Sequence, residues 1–516
     1  MPSKAARPPG PEERAVRTRI RGGWVVGHER GAHTLDRNHE VVFEGDEILY
    51  LGPAFEGRVD REIDAAGQLV APGFIDTHVH SGHRASHRLI SDTGRGDYFG
   101  QPFLEISVPK EGTRIDGDVR YLRPDETGAE GEREFHALFT VAELLRNGIT
   151  SFVEYGSQLL IQEALKEQCL KLGVRGYLGP GYDSGRWVGD EHGRLKRVVN
   201  EANGWREFAG ALEWIARNDG AGGGLVKGIL VPRELETCSL ELLRATREKA
   251  DELKLPMATH AAYSIVEFYE TVREYRRTPI ELLDELGMLR PTLNIGHGNL
   301  PSDSVRLNYP GARDLALMGA AKVSISHCPI NIIRRARVLD NWKSYSALGI
   351  NIALGSDTYP RDMLQIMRAA SYHGKTMSHD YKAATAAEML AAATLNGARS
   401  LGRDDLGRLA PGARADIVLI DLTGRGTLRM GPVRDPVKTV VECGVGDDVD
   451  TVIVAGEIRM QGGRVPGVDL DAIRARAQAA GERVWANWHK SDPLGRTHEE
   501  AAPWSFCPAC YRDGDS

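Results

Sequence analysis

Two histidines separated by one residue close the run Leu69-Val-Ala-Pro-Gly-Phe-Ile-Asp-Thr-His-Val-His80. On an extended backbone, side chains two apart point to the same side of the strand. His78 and His80 can therefore present both imidazoles to one cation. Neutral imidazole is a good ligand for zinc or iron, so the pair reads as half of a metal site. Taken alone it reads first as a pair of ordinary histidines at a strand terminus, and the deciding information lies in the surrounding residues.

The wording Pro72-Gly-Phe-Ile-Asp-Thr-His-Val-His80 resembles the first-strand signature of the amidohydrolase superfamily, metal-dependent hydrolases built on a (β/α)8 barrel. Further runs match the same pattern. Pro256-Met-Ala-Thr-His260 is similar to the fifth-strand ligand, and Ile350-Asn-Ile-Ala-Leu-Gly-Ser-Asp357 to the eighth-strand aspartate. The resemblance thus implies His78, His80, His260 and Asp357 as ligands of one divalent ion per chain, with zinc the first choice and iron the second. Such an ion lowers the pKa of a bound water toward neutrality. Asp357 is then expected to serve as a base as well as a ligand. Leu293-Asn-Ile-Gly-His297 matches the sixth-strand histidine, implying a catalytic role in polarising the substrate, and Val323-Ser-Ile-Ser-His327-Cys-Pro matches the seventh, implying a substrate contact.

Where this chain departs from its relatives, the departures bear on the reaction. Binuclear relatives use a carboxylated lysine near the top of the fourth strand, but Lys227 in Leu225-Val-Lys-Gly-Ile-Leu-Val-Pro232 falls about 15 Å below the strand end at the usual rise per residue. One metal is expected. The segment Pro232 to Ser239 resembles the Pro-His-x-x-Tyr-x-Cys-Ser turn of aminohydrolases and triazine chlorohydrolases, yet only Pro232, Cys238 and Ser239 match. Ring deaminases carry His-x-x-Glu after strand five, whereas this chain reads His260-Ala-Ala-Tyr263. A phenol with a pKa near ~10 donates a hydrogen bond but is a poor proton shuttle at neutral pH. Glu267, a helical turn further on, could stand in for the missing carboxylate. The first expectation is accordingly hydrolysis of an amide, urea or carbamate C–N bond in a small molecule by attack of water activated on the metal; the alternative is deamination or dechlorination of an N-heteroaromatic ring.

The elements needed to position these residues are also readable. Phe135 to Asn147 has amphipathic helical spacing, stops at Gly148 and leads into the apolar strand Ile149 to Glu154. Helix, glycine and strand recur at Leu160 to Leu178, and Leu240 to Leu253 precedes the run that ends at His260. This alternation predicts a parallel α/β architecture over 72–400. Short strand-like runs in 18–71 and again in 401–465 are expected to form one composite β-sandwich beside the barrel, as in relatives of this kind. Residues 1–17 are expected to be a disordered leader, and 466–516 a C-terminal helix and tail. The long polar stretch after His80 should lie over the barrel mouth. His83 and His87 within it, with Tyr263, complete the expected substrate contacts. Cys507 and Cys510 have zinc-ligand spacing, but without a second cysteine pair they read as an ordinary tail.

With 65 basic and 72 acidic residues among 516 and a net charge of −7, no nucleic-acid or membrane surface is suggested. The N-terminus lacks the apolar core of a secretory signal, and no apolar run is long enough to span a bilayer. Six scattered cysteines give no disulfide framework. A cytoplasmic enzyme acting on a small molecule is expected, with a dimer implied by the resemblance.

Overall fold

In a computed structural model the described residues are 15–81, 87–94, 108–111, 131–490 and 492–506. The leader up to residue 14, His83, most of the stretch after His80, and Cys507 and Cys510 lie outside them.

Eight parallel strands carry the centre of the molecule: β1 (Phe74–Val79), β2 (Ile149–Glu154), β3 (Arg175–Leu178), β4 (Val226–Gly228), β5 (Met257–Ala261), β6 (Leu293–His297), β7 (Ser324–His327) and β8 (Asn351–Leu354). They form two four-stranded sheets, ordered β4-β3-β2-β1 and β5-β6-β7-β8, and every pairing is parallel. The expected single ladder is interrupted at two seams, where only isolated bridges join the sheets. At one seam the His80 amide donates to the Asp357 carbonyl at 2.7 Å and the Asp357 amide to the His78 carbonyl at 2.8 Å. At the other, the Ala258 amide donates to the Leu230 carbonyl at 3.0 Å and the Leu230 amide to the Pro256 carbonyl at 3.1 Å.

Helices alternate with these strands: α1 (Glu132–Arg146), α2 (Leu159–Leu172), α3 (Glu201–Asn218), α4 (Leu240–Leu253), α5 (Ile265–Tyr275), α6 (Pro279–Glu285), α7 (Asp314–Ala321), α8 (Trp342–Ala347) and α9 (Met363–Ser378). Their ends follow local chemistry. Gly173 closes α2 in the left-handed region at φ 72°, a conformation that costs glycine no Cβ clash. Thr278 caps α6, with Pro279 at the first helical position, where its missing N–H leaves no bond unmade.

Strands from both ends of the chain build an additional β domain. The strands Gln68–Pro72 and Ile417–Asp421 pair antiparallel inside a six-stranded sheet that also holds Trp24–Glu29, Ala32–Asp36, Val449–Val454 and Glu457–Met460. A four-stranded sheet of Arg17–Arg21, Glu40–Glu44, Glu47–Gly52 and Arg61–Asp64 faces it. Alternate residues of the larger sheet serve two cores. Val25, Val70, Ile417, Leu419 and Ile453 pack with Ile20, Val41, Phe43 and Ile48 of the smaller sheet. Val26, Leu69, Ala71, Val418, Ile420, Val452 and Val454 join the core of the helices. Burial on both faces explains why these strands read as unbroken apolar runs rather than as a polar–apolar alternation.

A buried ion pair fastens the β domain to the eight strands. Arg175 on β3 donates to Asp416 through Nε at 2.7 Å and Nη2 at 3.0 Å. Asp416 also receives the Ala455 amide on its carboxylate at 2.8 Å and the Gly73 amide on its carbonyl at 2.9 Å.

The C-terminal helix α10 (Leu470–Ala486) docks on the start of α1, where Arg483 donates to Glu132 at 2.9 Å. Val484 and Trp488 pack on Leu89 and Ile90 just beyond β1. No helix among the described residues is long and apolar enough to cross a membrane.

Candidate metal centre

Parallel strands present their C-terminal ends to one side, and that is where the chemistry-bearing side chains meet. His78 Nε2 lies 3.2 Å from His80 Nε2, which lies 3.1 Å from His260 Nε2. Asp357 Oδ1 is 3.9 Å from His78 Nε2 and 3.7 Å from His80 Nε2, and Asp357 Oδ2 is 3.6 Å from His297 Nε2. Ring nitrogens this close suit a shared cation better than one another. Burial holds His78, His260 and His297 below the ordinary histidine pKa and so in the neutral form a ligand needs. Burial likewise raises Asp357, against the pull of Arg335.

The surroundings fit a metal. His260 Nδ1 sits 2.7 Å from the Arg233 carbonyl, a contact that places the proton on Nδ1 and leaves the Nε2 lone pair facing inward. His78 stacks on Tyr155 at 3.7 Å, with the rings 11° apart. Asp76 ties β1 to the end of β8 by accepting the His78 amide at 3.2 Å and the Ser356 amide at 3.0 Å. Below these side chains a buried polar layer fixes strand positions: Asn294 donates to the Thr77 carbonyl at 3.0 Å, and Ser326 donates to Asn294 at 2.8 Å. Both His297 and Asp357 occupy the left-handed backbone region, at φ 71° and 62°. Non-glycine residues adopt it uncommonly, and packing must hold them there.

Room for His78 depends on glycine. A Cβ at Gly296 would lie 2.8 Å from both His78 Cε1 and Tyr155 Cε1. Gly296→Ala should therefore tilt the His78 ring and weaken metal binding about 10- to 100-fold, the usual range for disturbing the groups that orient a ligand. Metal stoichiometry after dialysis against graded chelator measures this, and unchanged retention would contradict it.

The other expected site residues divide. Tyr263 stands beside the centre, its ring centroid 5.8 Å from that of His260 and 6.1 Å from that of His297. Its hydroxyl donates to Glu236 at 2.7 Å. His327 is buried near Trp342, pushed down to about 3 by burial, and falls outside the ligand clusters found among the described residues. His87 is buried too, and its carbonyl accepts the Tyr359 hydroxyl. Lys227 pairs with Asp219 at 2.8 Å. Glu267 does not substitute for a proton carrier at the centre. Its carboxylate accepts the amides of Ala262 at 2.8 Å, Tyr263 at 2.9 Å and Ser264 at 3.3 Å, capping α5. The Ser264-x-x-Glu267 spacing, a capping-box signature, was the available signal for this role.

Sequence reasoning also passed over four residues near the centre, three of them buried and Arg335 half-buried. Asn331 donates to Asp357. Arg337 donates to the Tyr263 carbonyl at 2.7 Å, and Arg335 acts electrostatically on Asp357. Glu236 is the fourth. The charge run Arg334-Arg335-Ala-Arg337 just after the His327-Cys-Pro match was the available signal for the arginines.

Comparison with known proteins agrees with this geometry. The chain is 27% identical over 459 residues to the 5-methylthioadenosine/S-adenosylhomocysteine deaminase of Pyrococcus horikoshii, covering 88% of this chain and 97% of that one. It is 28% identical over 451 residues to the 5'-deoxyadenosine deaminase of Methanothermobacter thermautotrophicus, covering 86% and 94%. Among solved structures it is similar to an adenosine deaminase from Xanthomonas campestris with bound zinc (TM-score 0.74, 21% identity, 91% and 98% of the chains covered). It is similar also to a zinc complex of atrazine chlorohydrolase from Arthrobacter aurescens (TM-score 0.74, 21% identity, 90% and 100% covered). These likenesses place the fold in the TIM-barrel-like α/β class with an extra β domain. Residues 69–459 match the amidohydrolase family, and with its imidazole–carboxylate centre the chain belongs to that family, as a hydrolase of non-peptide carbon–nitrogen bonds.

Proposed function

We propose that the protein is a zinc-dependent hydrolase that removes the exocyclic amine from an N-heteroaromatic ring, with adenine nucleosides the first substrates to try. The observation that supports this is the pair of overlapping ligand clusters, His78, His80 and Asp357 in one and His78, His260 and His297 in the other, joined by the close approach of His80 to His260. Between the two substrate classes expected, the deaminases matched over most of the chain favour the ring over an open-chain amide or urea. The two seams described above support one closed (β/α)8 barrel, with the ligands at its mouth.

His78, His80, His260 and Asp357 would hold the divalent ion, which supplies an acidified water as nucleophile. Asp357 takes the proton released as that water attacks the ring carbon and delivers it to the departing amine. His297, buried and neutral, orients the attacking oxygen. Tyr263 borders the ring site and bonds to Glu236 rather than serving as a base. In keeping with a reducing compartment, Cys169, Cys238, Cys328 and Cys443 are all free. The cytoplasmic homodimer expected from the sequence belongs to the same proposal, and light scattering on the purified protein checks the dimer.

Zinc-loaded protein should release ammonia from at least one of adenosine, 5'-deoxyadenosine, 5-methylthioadenosine and S-adenosylhomocysteine, and lose that activity on chelation. Chloride release from atrazine alone, or turnover only of amides and ureas, would overturn the assignment to ring deamination.

A further inference from the structure

The ring-deamination reading needs a proton for the ring nitrogen, and the position after strand five that would carry a carboxylate holds Tyr263. A carboxyl group nevertheless reaches this place from another strand. Glu236 lies in the turn that follows β4, a turn laid along β5 by the parallel bridge between Glu234 and His260. Its side chain is buried at 3% exposure. One oxygen, Oε1, accepts the Tyr263 hydroxyl at 2.7 Å and the Trp187 indole N–H at 3.2 Å. The other, Oε2, is buried without a hydrogen-bond partner among the described residues. With both donors on Oε1, a proton on the carboxyl belongs on Oε2, the oxygen left to meet a ligand. In the Pro232 to Ser239 turn, moreover, Glu236 takes the place at which the aminohydrolase pattern has tyrosine, while Tyr263 takes the place of its glutamate. The two residue types are thus exchanged relative to that pattern, and in this chain their side chains are in contact.

We propose that Glu236 is a catalytic residue of this site, the acid that protonates the substrate ring nitrogen next to the carbon under attack, with Tyr263 positioning it. This rests on the ring-deamination reading. The step balances. Water adds its oxygen to the ring carbon and gives one proton to Asp357, and Glu236 Oε2 gives its proton to the ring nitrogen. The C–N bond then breaks, and the amine leaves as ammonia with the proton from Asp357. The added hydroxyl becomes a ring carbonyl by returning its proton to Glu236. Consistent with this, burial, followed by the nearby Glu234, raises Glu236 above the ordinary carboxylate range. The other charged or titratable groups around it are Tyr263, Glu267, Arg197, which donates to its carbonyl, and Arg337 behind Tyr263.

Glu236→Gln in full-length, zinc-loaded protein is the test, using the adenine nucleoside of the panel above with the highest wild-type turnover. The expected result is a kcat lower by about a hundredfold or more, with KM within threefold and zinc content unchanged. The fall in wild-type kcat as pH rises through the raised Glu236 pKa should be absent from the residual activity. Glu236→Asp should recover part of the loss, and Tyr263→Phe should stay within about tenfold of wild type while moving that alkaline limb. Folding is read separately. A raised folded-state pKa stabilises fully at acid pH, and that contribution is lost as pH climbs through it. Glutamine does not titrate, so Glu236→Gln should melt at or above the wild-type temperature at alkaline pH. A kcat within threefold of wild type, or a loss confined to KM or traced to missing zinc, would overturn the proposal. Silence of wild type on every nucleoside would instead sink the ring-deamination reading. Infrared difference spectra of wild type against Glu236→Gln then decide for Glu236: a protonated carboxyl band at neutral pH supports the proposal, and its absence refutes it.

Discussion

Asp357→Asn should lower kcat/KM by at least about a thousandfold, because one side chain is asked to be both a ligand and a base. Asparagine keeps the size of the residue and tolerates the left-handed backbone at φ 62° better than most. The loss therefore reports charge and proton affinity rather than misfolding. The carboxylate sits between His80 and His297 and receives Asn331, so an amide there presents a neutral oxygen to the cation and takes up no proton. Ammonia release and zinc content, measured on the same preparation, separate the two roles: lost activity with retained zinc isolates the base, and both lost together indicate the ligand. The metal-free variant should melt no lower than metal-free wild type, since burial of the charged carboxylate is unfavourable without a cation. Activity within tenfold of wild type would remove Asp357 from the chemistry.

Asp416→Asn should destabilise the protein by about 3–5 kcal/mol, the range for breaking a buried ion pair from one side. Arg175 and Asp416 are 4% and 3% exposed, and the guanidinium bonds through two nitrogens. Without the carboxylate charge, Arg175 is a buried cation with half its pairing lost. Urea denaturation followed by tryptophan fluorescence measures the change. Replacing both partners, with Arg175→Met and Asp416→Leu, should recover part of it, because no charge is then stranded. A change under about 1 kcal/mol for Asp416→Asn would show that water reaches the pair and screens it.

The parts of this protein legible in its sequence are those set by local periodicity. Helix α4 at Leu240–Leu253 and strand β2 at Ile149–Glu154 have the bounds their patterns suggest, because apolar spacing and a serine cap or a glycine stop act over a few residues. The meeting of His78, His80, His260 and Asp357 was legible for a similar reason. Apolar runs mark where each strand ends, but it was the amidohydrolase resemblance that singled out these four residues at those ends. What escaped depends on neighbours distant in the chain. Glu236 becomes notable only once the turn after β4 lies beside β5 and meets Tyr263. Glu267 looked like a spare carboxylate until its bonds to three backbone amides showed a cap. The stretch Arg334 to Arg337 reads as a solvated charge run, yet Arg337 is 7% exposed.

The pairing of Gln68–Pro72 with Ile417–Asp421 has a consequence for biosynthesis. The earlier strand leaves the ribosome roughly 350 residues before its partner, an interval of roughly 20 to 70 seconds at usual elongation rates. Throughout that time an apolar ribbon, greasy on both sides, has an unmatched edge in a crowded cell. Nascent chains of this protein should therefore lean on a holding chaperone until translation is almost finished, and moving the segment up to and including Pro72 to the carboxyl end by circular permutation should shorten that dependence.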